Sequence, residues 1–290
     1  MNILLTGGTG LLGKTLARLL SKEQHQIVAI VRKKTAANPF FETFEGDLTQ
    51  IHTLQNLFSS HRFDAVLHCA ANTDLRFCEQ NPNQAYAINA QAAQNLCQLA
   101  DPKTRFIHLS TDSVFDGVAG NYTEKSLTNP LNHYAKTKLE GEKLVLETNP
   151  NALVLRTNLY GTGSPSGQTL AEWAIQNLKQ NNVISGFADV YFNPLNTTQL
   201  AQIINKLIEK PNIKGILNVG CKEFISKYDF VNLIAQQLNI TQPNLNPTSI
   251  ETANQYPKRP QNTTLNLDLM QTHNLTPPSI HAGIKALLMP

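Results

Sequence analysis

An apolar run, Asn2-Ile3-Leu4-Leu5, passes directly into Thr6-Gly7-Gly8-Thr9-Gly10-Leu11-Leu12-Gly13 and then into a helical pattern that reaches Leu20. Glycines at 7, 10 and 13 permit a tight turn, close approach of backbone to a pyrophosphate, and close packing of helix on sheet. The helix that follows would offer its N-terminal N–H groups and positive dipole end to phosphates. A glycine-rich turn alone says little, but strand, loop and helix in this order mark a dinucleotide-binding opening. Gly7, Thr9, Gly10, Leu11, Leu12 and Gly13 are therefore candidate cofactor contacts. Gly8 to Thr15 also satisfies the G-x-x-x-x-G-K-[ST] pattern of a P-loop, with Lys14 as phosphate lysine. No acidic strand end suited to magnesium accompanies it, so Lys14 is better taken as a solvated helix residue.

Strand and helix patterns go on alternating over the first two-thirds of the chain. Ile27-Val28-Ala29-Ile30-Val31 is continuously apolar, as a strand buried on both faces should be. Ala65 to Ala70 and Phe106 to Leu109 repeat that pattern, with helical stretches at 49–60 and 83–100. Leu153-Val154-Leu155 follows a further helix that carries Tyr134. This alternation predicts an α/β fold with a Rossmann-type, doubly wound parallel sheet. Pro165-Ser166-Gly167 marks a loop, and Leu217-Asn218-Val219 suggests a return to the main sheet. The expected organisation is a nucleotide-binding domain of 1–156 plus 196–220, and a smaller substrate-binding lobe of 157–195 plus 221–290.

Composition excludes several classes. Hydrophobic residues make up 41% of 290 residues, enough for a substantial core. A net charge of +3, with basic residues dispersed, argues against nucleic acid as partner. No apolar stretch reaches the roughly 20 residues that span a bilayer. Cys69, Cys78, Cys97 and Cys221 form no C-x-x-C pair, so neither zinc nor a disulfide framework is expected, and no metal-ligating residues are assigned. With no signal-like segment at the N-terminus, a soluble cytoplasmic protein is expected.

The end of the second strand bears on cofactor choice. An acidic residue there would bind the adenosine 2′-hydroxyl of NAD. Here Val31 is followed by Arg32, Lys33 and Lys34, which suit a 2′-phosphate. NADPH is the expected cofactor, with NADH as the alternative. Asp47-Leu48, after the third strand, is a candidate adenine contact, with a plain turn aspartate as the competing role.

Tyr134-Ala-Lys-Thr-Lys138 supplies the chemistry. Residues four apart share a helix face, so phenol and ammonium would point the same way. A free phenol has a pKa of about 10 and is a poor acid at neutral pH. A nearby ammonium lowers that value. A hydroxyl such as Thr111 can hydrogen-bond an oxygen on which charge develops. With a nicotinamide, these three groups suffice for ketone reduction.

These motifs give the chain a resemblance to the extended short-chain dehydrogenase/reductases, and within them to the dTDP-4-dehydrorhamnose reductases. The resemblance is carried by Thr6–Gly13, His68-Cys-Ala-Ala-Asn72, Asn81 to Asn89, Ser110-Thr-Asp-Ser-Val-Phe-Asp-Gly117, Tyr134 to Glu142 and Arg259 to Leu265. It implies Thr111, Tyr134 and Lys138 as the catalytic triad, with Tyr134 as proton donor to the C4 ketone of a 4-keto-6-deoxy sugar nucleotide. It also implies Ala70 and Ala71 as a small-residue wall beside the cofactor, and Asn89 as a brace of the active-site helix through backbone hydrogen bonds. Asp112 and Ser113 are the implied substrate contacts, and a homodimer is a further expectation. His68 and His108 are expected to be core histidines, and Trp173 a core or dimer residue.

The chain departs from the family pattern in two places. The family's Arg-Thr-Ser-Trp segment is replaced by Arg156-Thr157-Asn158-Leu159-Tyr160, and its Asp-Gln-x-Gly-x-Pro-Thr segment by Phe187 to Pro194. The latter segment resembles the regulatory β subunit of methionine adenosyltransferase. The alternative function is thus a non-catalytic NADP-binding subunit, against which the retained Thr111, Tyr134 and Lys138 argue. Another sugar-nucleotide epimerase or reductase is a third option. A dehydratase would favour an Asp-Glu pair beside Thr111, where only Asp112 stands.

Overall fold

The computed structural model describes residues 1–33, 38–164, 169–253 and 256–289. Lys34 and the loop Pro165-Ser166-Gly167 fall outside them. The chain divides into two compact units.

The first unit comprises Met1–Thr111, Asn132–Arg156 and Ala201–Leu217. Its strands are β1 (Asn2–Thr6), β2 (Gln26–Val31), β3 (Glu42–Glu45), β4 (Ala65–His68), β5 (Arg105–Leu109) and β6 (Leu153–Arg156). They lie in the order β3-β2-β1-β4-β5-β6, with the strand Gly215–Asn218 completing a seven-stranded sheet beside β6. The pairs among β1 to β6 are all parallel. This is the doubly wound order, whose ligands bind beyond the carboxyl ends of the strands.

Side chains alternate across each strand. Leu4, Val28, Ile30, Val66, Phe106 and Val154 accordingly share one core with residues of three helices. Among the helices of this unit, α1 (Leu11–Lys22) packs against β1 and β2. On the other face, α2 (Ile51–Ser60) contributes Leu54 and Leu57 to that core. The expected helix at 83–100 is segmented. After α3 (Leu75–Gln80) come α4 (Pro82–Tyr86), a π-helical turn at Ala87–Gln91, and α5 (Ala92–Leu99). π-turns inside helices recur at functional sites. The long helix α6 (His133–Thr148) is capped by Asn132, whose side chain accepts from Ala135 N–H at 2.9 Å.

The second unit comprises Asp112–Leu131, Thr157–Leu200 and Asn218–Pro290. Three small two-stranded pairings and the helices Leu170–Lys179, Lys227–Gln237 and Ile280–Leu288 build it. Its core centres on Phe230, which meets Tyr160 and Phe192 edge-on with ring centroids 5.0 and 5.6 Å away. Thr169 and Glu172 close a reciprocal capping box on the first of those helices. Trp173, on the same helix, is half-buried.

Candidate active site

The chain leaves β1 through Gly7, whose φ of +72° belongs to the left-handed region that favours glycine. A Cβ at Gly7 would stand 2.9 Å from the Ala70 nitrogen, and one at Gly13 only 2.0 Å from the Gly7 oxygen. Glycine at both positions lets the loop close on α1 and on the segment after β4. The Gly10 amide donates to the Gly7 carbonyl at 2.8 Å. From Gly10, α1 starts with no side-chain cap and no acidic residue in its first turn. Its N-terminal dipole and N–H groups, at Leu11, Leu12 and Gly13, are thereby left for a ligand anion. Thr9 is exposed at the loop tip. The cradle fits the pyrophosphate of a dinucleotide. Lys14, by contrast, is exposed on α1.

Arg32 and Lys33 are exposed just beyond β2. The Asp47 carboxylate is engaged locally, accepting from both the Thr49 amide and hydroxyl at 2.8 Å, in the turn that leads into α2. Leu48 packs partly buried against the core. The Ala70 amide donates to the Thr6 hydroxyl at 3.1 Å, and Ala70 and Ala71 are half-buried.

Thr111 is buried two residues past the end of β5, and Tyr134 is half-buried in the first turn of α6. Lys138 lies one turn further along α6 and is only 3% exposed. Its ammonium donates to the Leu109 carbonyl at 2.6 Å and faces His108 Nε2 at 3.5 Å. Burial pushes Lys138 down to about 8, against the upward pull of Glu142 and Cys69.

One turn beyond Lys138, Glu142 is buried and accepts from Arg156 at 2.6 Å (Nη2) and 3.1 Å (Nε). It also accepts a short bond from the Ser110 hydroxyl. A buried bidentate pair is a strong geometric constraint. Through it α6 is fixed to the end of β6 and to the residue that precedes Thr111. The sequence pattern marked Glu142 and Arg156 as parts of two separate motifs, but nothing local to either announced that they pair.

Asn89 lies in the π-turn and braces the site through its side chain. Its Oδ1 accepts from the Asn72 amide at 2.7 Å, and its Nδ2 donates to the Asn72 carbonyl and to Thr137 Oγ1 at 3.1 and 3.0 Å. Asn89 thus makes bonds to backbone groups, those of Asn72, with its side-chain amide supplying both donor and acceptor. A Cβ at Gly141 would stand 2.6 Å from the Asn89 carbonyl oxygen, so glycine is what admits α6 at this distance.

Asp112 and Ser113 belong to the second unit. Asp112 is 1% exposed, and its Oδ2 accepts from Asn158 at 2.9 Å and from the Thr263 hydroxyl at 2.5 Å. Ser113 is half-buried and donates to Asp112 Oδ1 at 3.3 Å. Asp112 thus joins two segments far apart in sequence, the variant Arg156-to-Tyr160 stretch and the Arg259-to-Leu265 element. Lys227 rests on the Phe192 ring, its ammonium 3.4 Å from the centroid. Burial pushes Lys227 down to about 8, while Asp112 opposes that shift.

Among the described residues no His, Cys, Asp and Glu cluster could hold a metal ion, and no helix is long and apolar enough to cross a membrane.

The sheet order and the glycine cradle, with the structural match reported below, define a Rossmann-type protein of the extended short-chain dehydrogenase/reductase kind. More narrowly, the chain belongs to the RmlD substrate binding domain family, whose match runs over residues 1–290. It is 30% identical over 243 aligned positions to a probable low-salt glycan biosynthesis reductase of Haloferax volcanii, covering 81% of this chain and 80% of that protein. Identity to methionine adenosyltransferase 2 subunit beta of Bos taurus is 32% over 311 aligned positions, covering 99% of this chain and 87% of that protein. The fold matches the crystal structure of dTDP-4-dehydrorhamnose reductase from Bacillus anthracis in complex with NADP at a TM-score of 0.87. That comparison has 27% identity and covers 99% of this chain and 98% of the other.

Proposed function

We propose that the chain is an NADPH-dependent reductase of the C4 ketone of a 4-keto-6-deoxy sugar nucleotide, with a dTDP sugar as substrate. The observation that carries this is the buried Lys138 ammonium, held on the Leu109 carbonyl one helical turn from Tyr134. When bound, NADPH supplies the hydride that reaches C4. Tyr134 gives its phenolic proton to the ketone oxygen, so the carbonyl gains one hydride and one proton and becomes an alcohol. Lys138, largely cationic at neutral pH, stabilises the phenolate left behind. Thr111 donates a hydrogen bond to the same oxygen and orients it. Gly7 to Gly13 hold the pyrophosphate, Ala70 and Ala71 flank the cofactor, and Arg32 and Lys33 take the 2′-phosphate. The first unit is the cofactor domain. The second carries the sugar nucleotide, with Ser113 on the sugar and Asp112 as the organiser of that wall.

The test is NADPH oxidation by purified protein with dTDP-4-keto-6-deoxy-L-mannose, beside a control without substrate. Turnover that disappears in Tyr134→Phe supports the assignment.

A second function is favoured by the similarity to the methionine adenosyltransferase β subunit over 99% of this chain. On that account NADP is a structural ligand. Tight NADPH binding with no turnover on any keto sugar nucleotide would favour it.

A further inference from the structure

Thr6, His68 and His108 form a continuous polar row near the carboxyl ends of three adjacent strands. They are register partners, Thr6 with His68 on β1 and β4, and His68 with His108 on β4 and β5. Register partners point to the same face, here the face that α6 covers. His68 and His108 are both fully buried and stack with ring centroids 5.1 Å apart. At one end of the row, His68 Nδ1 bonds the Thr6 hydroxyl at 2.7 Å, and that hydroxyl also receives the Ala70 amide. At the other end, His108 Nε2 faces the Lys138 ammonium at 3.5 Å.

The chemistry of that last pair fixes a proton position. An ammonium has only donors. His108 Nε2 must therefore be the bare acceptor, with the ring proton on Nδ1. A second proton would place an imidazolium against the ammonium, and His108 Nδ1 and His68 Nε2 have no hydrogen-bond partner among the described residues. Burial and the Lys138 charge hold both rings neutral, His68 at about 3 and His108 well below the usual histidine value. The titratable groups that interact with the ammonium are His68, Cys69, His108 and Glu142, and Tyr134 stands one helical turn away along α6. Glu142 is committed to Arg156 and Ser110, and burial pushes the Cys69 thiol up to about 12.

We propose that His108 is a positioning residue for Lys138: its neutral imidazole accepts from the ammonium and, stacked on His68, holds it on the Leu109 carbonyl. The row therefore ties the cofactor loop at Thr6 to the group that activates Tyr134. His108 acts through Lys138 and does not meet the reacting atoms. This deepens the reductase assignment, because the kinetic effect of His108 rests on Lys138 activating Tyr134.

The decisive experiments read Lys138 and His108 by NMR in the full chain without substrate, so their failure is distinct from failure of the reductase assignment. In the unmodified protein, nitrogen-15 spectra should show His108 as a neutral Nδ1–H tautomer throughout pH 5 to 8, a span of about three units. An Nε2–H tautomer, or an imidazolium in that span, would overturn the proposal. The Lys138 titration, read with carbon-13-labelled lysine and assigned with Lys138→Met, should fall by about one pH unit in His108→Leu, which removes the acceptor. His108→Gln keeps an acceptor and should restore the titration to near the wild-type position. Equal titrations in wild type and His108→Leu would also overturn it. In turnover, His108→Leu should lose about tenfold in kcat while His108→Gln stays within about threefold of wild type. Equal losses in both variants would make His108 merely a packing residue.

Discussion

The Lys138 ammonium donates to the Leu109 carbonyl oxygen across 2.6 Å, so a charge that would otherwise be mobile on its four-carbon stem is held at one point beside β5. Burial lowers its pKa to about 8. The Lys138 ammonium, which assists Tyr134 in the proposed mechanism, is thus present below that pH and lost above it. Reductase kcat/KM should decline as pH rises through about 8. The measurement is a pH profile of NADPH oxidation; a level profile from about pH 7 to about pH 10 would contradict the role of Lys138.

The Glu142–Arg156 pair is buried on both sides, at 1% and 3% exposure. Removing one partner leaves the other as an uncompensated buried charge. Glu142→Ala should cost about 3–5 kcal/mol. Glu142→Gln, which keeps an oxygen acceptor for Arg156 and Ser110, should cost less than Glu142→Ala. Urea denaturation at neutral pH measures both, and a Glu142→Ala loss below about 1 kcal/mol would show the pair to be solvated.

His68 and His108 make stability sensitive to acid. Their folded pKa values are depressed, His68 to about 3 and His108 well below 6.5, so the unfolded chain binds protons that the folded chain refuses. Stability is then complete above about 6.5 and is lost as pH falls towards the folded values, by about 1.4 kcal/mol per pH unit for each histidine. Denaturant midpoints at a series of pH values below 6.5 test this. His108→Gln should show a shallower decline than wild type, and parallel declines would refute the assignment.

Arg32 and Lys33 stand exposed where the adenosine ribose of a bound dinucleotide would lie. Changing both to alanine should weaken NADPH by tenfold or more, about 1.4 kcal/mol, and leave NADH nearly unchanged. Titration of cofactor fluorescence compares the two. Equal weakening of both cofactors would remove the 2′-phosphate from the account.

The parts of the fold that could be read from sequence are those whose causes are local. Gly7 and Gly13 announce the cradle because only glycine tolerates the approaches found there. Continuous apolar runs such as Ile27 to Val31 announce strands buried on both faces. What stayed hidden depends on cross-strand register and distant pairing. His68 and His108 look like isolated core histidines until β4 and β5 set them side by side. Asp112 looks like a free carboxylate until Asn158 and Thr263 arrive from distant segments. The π-turn at Ala87–Gln91 likewise lies inside a stretch that the sequence pattern reads as one helix, and no residue type in it announces the change to i→i+5 hydrogen bonding.

The most direct test of the central claim is Tyr134→Phe, measured as NADPH oxidation with dTDP-4-keto-6-deoxy-L-mannose alongside NADPH binding. Loss of the phenolic proton should lower kcat by at least about a hundredfold, the usual worth of a general acid, while the cofactor dissociation constant stays within about threefold. Turnover like that of the wild type in Tyr134→Phe would contradict the assignment of Tyr134 as proton donor.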